Sequence, residues 1–422
     1  MTQTRWHTLT LSAVTPAFLG RYAEPGDKGD KGDKDGKGGK GGKGGKGYEI
    51  PFPVPSLRGA LGYWLRALAG AHVGDNLASL GSVESAVFGS ARSGGSVGMS
   101  TIWIRGREPV GVGRYKPSQP VAYLMGPGFR DDQTAPAARH LKAGTTIRLD
   151  VRNTGGTVHA DLFLCALWAL RTFGGIGARA RRGFGTISVD DRPLQIPRER
   201  FDASWLYRNA ADDLQDVLSC VGDCLGQLGI PGSDDTAAQP GYPRFDLDRA
   251  WYLLGPDIEI PGAQGHDAAL AWTGERLREF RLDGGECRNT AGWREIVQPY
   301  LDGGTFSAEF RAGALGLPVV YTQKATRPGT HDRSATVEPV VDGQPSRRAS
   351  PLWLRVHRTG RTWWLRSLAF NAEFLPEGGN GLRVKATKGP EREVKPVTPP
   401  SPEVIRCELE RWFSYVSGQR QA

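Results

Sequence analysis

The chain has 422 residues, enough for two domains with their own cores and too many for one small module. Hydrophobic residues make up 39%, while 58 glycines and 29 prolines mark many loops, and no apolar run approaches the ~20 residues that span a bilayer. The net charge of +9 favours a polyanionic partner without identifying one.

Residues 6–14 alternate Trp6, Thr8 and Thr10 with His7, Leu9 and Leu11, which predicts a strand. Gly-Asp-Lys triplets turning into Gly-Gly-Lys follow at 26–47. With no proline, and with Asp35 breaking the period, they read as a disordered Gly/Lys-rich insertion rather than a collagen helix. The tract holds seven lysines and four aspartates, so it supplies +3 of the +9. Ser56 is expected to cap a helix in which Leu57, Ala60, Leu61, Trp64, Leu65 and Leu68 recur at helical spacing. Strands are predicted at 97–105 and 145–152, a nearly all-apolar helix at 158–173 and a final strand at 184–189. The β-α-β-β-α-β order predicts an α+β, ferredoxin-like domain over residues 1–195, with one open sheet face of the kind that hosts RNA.

Residues 196–422 predict a second α+β ferredoxin-like domain embellished with extra helices. Its expected helices cover 202–228 and 403–416, and its strands 317–322, 352–358 and 362–370. Pro- and Gly-rich stretches at 231–243, 325–350 and 376–402 read as linkers.

The densest motif runs from Gly174 to Gly185 and holds Gly174, Gly175, Gly177, Arg179, Arg181, Arg182, Gly183 and Phe184. Glycine lets a backbone approach another chain closely, arginine forks match phosphate oxygens, and an exposed aromatic stacks an unpaired base. Two readings fit the segment: a glycine C-cap followed by a turn, or a loop against a nucleic-acid backbone. Three neighbouring arginines favour the second. Phe184 fits both an exposed ring and the first core residue of the next strand. Ser56 and Arg58 open the first predicted helix, where exposed N–H groups attract phosphate. Arg58 opposes the helix dipole there, so it serves either a bound anion or a carboxylate such as Glu84.

Catalytic signatures are missing: there is no HExxH, G-x-S-x-G, or G-x-x-x-x-G-K-[ST]. The seven histidines lack metal-ligand spacing, and the five cysteines form no CxxC pair. No metal or cofactor is expected, and reduced, mostly buried thiols suit a cytoplasmic setting. A metal-free endoribonuclease using one histidine as base stays open.

Taken together, Thr15-Pro16-Ala17-Phe18-Leu19-Gly20, residues 56–68, Glu84 with Phe88-Gly89-Ser90, and Gly174–Gly185 resemble the RAMP superfamily of CRISPR-associated proteins. Residues 315–318 and 347–352 extend the likeness, which spans roughly residues 5–360. Within the superfamily the chain is similar to subunits of the Cmr, or type III-B, RNA-guided effector. The resemblance implies a non-catalytic subunit that helps hold the 3′ part of the guide RNA and the paired target RNA in antiviral defence, with other Cmr-type RAMP subunits as partners and no membrane. Carried over by motif, Ser56, Arg58, Arg179, Arg181 and Arg182 contact RNA phosphates, and Arg347 and Arg348 either join them or lie at a subunit interface. The alternatives are a guide-RNA-processing endoribonuclease of the same superfamily and a purely structural assembly subunit.

Overall fold

A computed structural model describes residues 6–19, 48–90, 98–115, 117–126, 139–189, 213–233, 239–246, 251–283, 292–325, 331–375 and 379–418. The Gly/Lys-rich insertion expected at 26–47, and residues 202–212 of the expected helix, lie outside them.

The first half runs β1 (His7–Ala13), β2 (Tyr48–Pro51), α1 (Val54–Val73), α2 (Leu77–Phe88), β3 (Ile102–Gly106), β4 (Pro109–Arg114), α3 (Gln119–Met125), β5 (Arg139–Leu141), β6 (Thr146–Asn153), α4 (Thr157–Phe173) and β7 (Ile187–Val189). Its main sheet has the order β3–β6–β1–β7, antiparallel throughout. Alternation along β1 buries Leu9, Leu11 and Ala13, with Leu9 opposite Leu149 and Leu11 opposite Ile147. Helices α1 and α4 close that face through Trp64, Leu68, Phe163 and Trp168, all fully buried. On the opposite face Thr8, Trp103, Arg105 and Arg148 are exposed among the described residues. A second sheet, β2–β4–β5, and helix α2 were not anticipated from the sequence.

The second half continues with α5 (Leu214–Gln227), β8 (Tyr252–Leu254), β9 (Ile258–Glu259), α6 (His266–Asp283), β10 (Val319–Gln323), β11 (Arg333–Val341), β12 (Gln344–Pro345), β13 (Leu352–Thr359), β14 (Thr362–Phe370), β15 (Gly379–Lys388), β16 (Lys395–Val397) and α7 (Pro402–Val416). Val217, Leu218, Val221 and Leu225 of α5 enter the core of the first half. A sheet ordered β13–β14–β8, with β9 also on β14, packs under α6 and α7 through Leu270, Phe280, Leu354, Leu365 and Trp412.

Strands that precede β13 and follow β14 in the chain form a separate five-stranded sheet, β10–β11–β15–β16 with β12 on β11. The sheet adds to the expected extra helices of the second half, α5 among them, and it corrects one expectation: the stretches 325–350 and 376–402 contain strands β11 and β15 rather than serving only as linkers. Their polarity is misleading because Glu338 on β11 pairs across the ladder with Arg383 and Lys385 of β15, both at 2.9 Å. The chain as a whole is a mixed α/β fold.

Candidate nucleic-acid interface

The Gly174–Gly185 segment leaves α4, folds back, and feeds β7. It packs against Thr15–Phe18, the segment after β1: Ala178 N–H donates to Phe18 O (2.7 Å), Gly185 N–H to Pro16 O (2.8 Å), and Thr15 Oγ1 to Gly183 O (2.8 Å). Two motifs far apart in sequence are thus one structural unit. Gly177 (φ 84°) and Gly185 (φ 67°) occupy the left-handed region, and a side chain there would strike the carbonyls of Phe18 and Ile176.

Several expectations are corrected here. Phe184 is fully buried against Phe18 and Tyr115, so it offers no ring to a base. Gly174, Gly175 and Gly183 are also buried, so their missing side chains accommodate this chain's own interior: Trp64 above Gly174, the Phe184 carbonyl beside Gly175, Val356 and Leu270 around Gly183. Ser56 is not the cap of α1, which begins at Val54 after Pro53 and has no side-chain cap. Arg58 does not pair with Glu84. Its guanidinium donates to the carbonyl of Phe88, the last residue of α2, where a cation suits the helix dipole. Glu84 pairs instead with Arg66.

The arginines of the loop behave differently from its glycines. Arg179 has φ 64°, a region that non-glycine residues seldom adopt, and the turn closes with Arg182 N–H on Arg179 O (2.8 Å). Arg181 lies over the rings of Trp353 (4.8 Å) and Tyr63 (5.5 Å) and donates to Ser350 O (2.6 Å). Tyr63 is on α1, five residues beyond Arg58, so the loop and the first helix share this corner. Arg182 reaches Leu315 O (3.4 Å), and its Nη1 is buried without a hydrogen-bond partner among the described residues.

Arg347 and Arg348, which precede β13, come to the same place. Arg348 donates to Phe374 O (2.7 Å) and Ala314 O (3.1 Å), whereas Arg347 is exposed. Burial, and then Arg281 of α6, push Arg182 down to about 10; burial, and then Arg181, push Arg348 down to about 10. Burial and the nearby Arg347 lower Arg179 as well. Among the described residues no carboxylate pairs with Arg181, Arg182, Arg347 or Arg348. Like charges held this close without a counter-ion destabilise the fold unless an anion joins them.

A second set of arginines anchors the loop from below. Arg355 donates to Gly174 O (2.9 Å) and Ile187 O (3.0 Å), and Arg366 to Thr172 O (3.2 Å). Asp257 balances them, accepting two bonds from Arg366 (2.7 and 2.6 Å) with His357 at 3.3 Å. Burial leads in pushing His357 down to about 4, and the charged hydrogen bonds hold the Asp257 carboxyl well below the usual range despite its partial burial. Sequence reasoning missed Tyr63, Trp353 and Arg281. Tyr63 and Trp353 sit in stretches whose sequence carries no sign of a cation partner, and Arg281 lies in a helix that was not predicted. No group of three or more metal-ligating side chains occurs, and no helix is long and apolar enough to cross a membrane, among the described residues.

Residues 10–188 match the RAMP superfamily. The CRISPR system Cmr subunit Cmr1-1 of Pyrococcus furiosus is 27% identical over 189 residues, 44% of this chain and 55% of that protein. Subunit Cmr1-2 of the same organism is 26% identical over 166 residues, covering 33% of this chain and 82% of the relative. The match thus spans about half the length of the first of these relatives. Among solved structures, apo Cmr1 from Pyrococcus furiosus superposes with a TM-score of 0.48 at 19% identity, covering 88% of this chain and 90% of that one. A chain of the type III-B Cmr-beta complex bound to cognate target RNA gives 0.47 at 11% identity, covering 98% and 100%. Thr15–Phe18, the start of α1 and the glycine loop, which meet around one core, all fall inside residues 10–188, the stretch that matches the RAMP superfamily.

Proposed function

We propose that this protein is a non-catalytic, RNA-binding subunit of a type III-B CRISPR (Cmr) effector ribonucleoprotein in the cytoplasm, where it helps hold the 3′ part of the guide RNA and the paired target RNA beside other RAMP subunits. In this reading both halves are ferredoxin-like. The order β3–β6–β1–β7 with α1 and α4 is that of a split βαβ unit, and β13–β14–β8 with α6 and α7 repeats its first three strands and two helices.

The observation that carries the reading is the convergence of Arg179, Arg181, Arg182, Arg347 and Arg348 from the two halves of the chain, with cations as each other's neighbours. Arg179, Arg181 and Arg347 form its accessible rim and meet phosphates; Arg182 and Arg348 hold the rim in place through carbonyls of the second half. The relatives named as Cmr subunits support the assembly partner, and guide–target pairing supplies sequence choice. The buried His357–Asp257 pair, only 2% exposed at the histidine, supports a structural rather than a general-base role for that histidine.

The test is single-stranded RNA binding by the purified chain across a salt series. Changing Arg179, Arg181 and Arg347 together to alanine is expected to lower the slope of log K against log salt by about 2, each lost phosphate contact contributing roughly 0.7. An unchanged slope and affinity would remove the loop arginines from RNA binding, and no binding by the unaltered chain would support the purely structural subunit. Metal-independent cleavage of repeat RNA, abolished by a single His→Ala change, would support the processing enzyme.

A further inference from the structure

The open face of the β3–β6–β1–β7 sheet carries an ordered grid of rings and cations that the loop cluster does not explain. Register places Trp103 opposite Arg152, and Arg105 opposite Asp150, which is in turn opposite Thr8. Trp6, just before β1, extends the first of these rows. Arg105 lies 4.3 Å and Arg152 4.9 Å from the centroid of the Trp6 ring, and Arg152 is 5.4 Å from that of Trp103. Rings and guanidiniums therefore alternate across three strands. The outermost ring, Trp103, remains 39% exposed.

Beside this row lies a shallow concavity of about 590 Å³, lined by Trp6, Thr8, Arg105, Gly106, Arg107 and Asp150. Two of the four arginines on the face are neutralised, Arg105 by Asp150 (3.0 Å) and Arg148 by Glu108 (2.8 Å). Arg107 reaches only Thr8 Oγ1 (3.1 Å), and among the described residues neither Arg107 nor Arg152 has a carboxylate partner.

We infer that this sheet face is a second binding surface, for single-stranded RNA, in which an unpaired base stacks on Trp103 and Arg107 holds the adjoining phosphate. The chemistry fits each part of a nucleotide. A tryptophan face accepts any base, a free guanidinium takes phosphate, and Thr8 with the fixed Asp150 carboxylate can meet a base edge or a ribose hydroxyl. A protein partner of ordinary composition would be expected to bury an apolar centre here, and the surroundings of Trp103 are arginine and threonine instead. This surface is independent of the arginine cluster at the loop.

The test uses the full chain with Arg179, Arg181 and Arg347 changed to alanine, so that the loop cluster no longer contributes. A labelled oligouridine of about 12 nucleotides serves as probe, read by fluorescence anisotropy. Adding Trp103→Ala is expected to weaken binding roughly tenfold, with Trp103→Phe recovering most of the loss. Arg107→Ala is expected to lower the salt slope by about 0.7. Photocrosslinking of thiouridine-substituted RNA to the otherwise unaltered chain should label the β3 peptide. The proposal fails if Trp103→Ala and Arg107→Ala bind as the parent does, if crosslinks avoid β3, or if the face captures an acidic protein and not RNA. Crosslinks at β3 combined with an unaltered affinity after loss of the loop arginines would uphold this surface and remove the loop cluster from RNA binding.

Discussion

Arg355 donates one N–H to the carbonyl of Gly174 and another to that of Ile187, so a single side chain of β13 grips both ends of the glycine loop. The grip joins the two halves of the chain at the point where the loop arginines emerge. It also explains a buried guanidinium whose pKa burial holds well below the ordinary value: the carbonyls at the end of α4 attract a cation, and Asp257 lies near enough to offset part of the cost.

Removing that grip should therefore cost stability before it touches RNA. Arg355→Ala leaves two buried carbonyls unsatisfied and strips a charged partner, and we expect a loss of about 3 kcal/mol. Arg355→Lys should rescue little, since one ammonium cannot span two diverging acceptors. Thermal denaturation with the calorimetric enthalpy checks both. A variant as stable as the parent would mean that the loop is held by Thr15–Phe18 alone.

The glycines make a related prediction of opposite emphasis. Gly185→Ala puts a Cβ against the Ile176 carbonyl in a left-handed conformation, so we expect at least 1–3 kcal/mol of destabilisation. Gly59→Ala on the exposed side of α1 meets no atom and should stabilise by a few tenths of a kcal/mol up to about 1. Comparing the two melting temperatures separates a structural glycine from a merely permitted one. Equal effects would contradict the packing described for the loop.

Much of this was legible in the residues. Helical spacing of Leu57, Leu61, Trp64 and Leu68 set the buried face of α1, and the alternation of residues 6–14 set β1. The loop arginines were recognisable by type, whereas the approach of Arg348 and Arg347 to them was not, since both stood only as RNA contacts or interface residues. The interior role of the glycines was not legible, because it depends on Phe18, Trp64 and Val356 arriving from distant segments. Strands β11 and β15 escaped for a similar reason. Glu338, Arg383 and Lys385 look like linker residues until the ladder sets them opposite one another. The bond from Arg58 to Phe88 was not legible either, because its acceptor is a main-chain carbonyl, which leaves no trace in the identity of the residue that carries it.

The His357–Asp257 pair predicts a pH dependence. His357 is depressed to about 4 in the folded chain and returns to about 6.5 when unfolded, so the unfolded state takes up the proton first as pH falls. Stability should be full above pH 6.5 and decline between about 6.5 and 4, by up to about 3 kcal/mol. Asp257, whose carboxyl is also depressed by its partners, extends the decline below pH 4, since its ion pairs are then lost. Denaturant midpoints across this range, compared with His357→Gln, provide the measurement. A parent whose midpoint stays flat from pH 7 to 4 would contradict the burial of the imidazole.

Under the proposed function, Arg58 and Arg347 are expected to separate a structural arginine from a phosphate-contacting one. Arg58 spends its guanidinium on the Phe88 carbonyl at the end of α2, whereas Arg347 is exposed and lies among cations. Arg58→Ala should lower stability by about 0.5–1.5 kcal/mol and leave RNA affinity within about twofold. Arg347→Ala should leave the melting temperature unchanged or slightly raised, because it relieves repulsion on Arg179, while weakening RNA binding and lowering the salt slope by about 0.7. Paired melting and binding curves for the two variants decide the matter. If Arg58→Ala were the one that weakened RNA binding with stability intact, the phosphate path would run along the start of α1 instead of the rim of the loop.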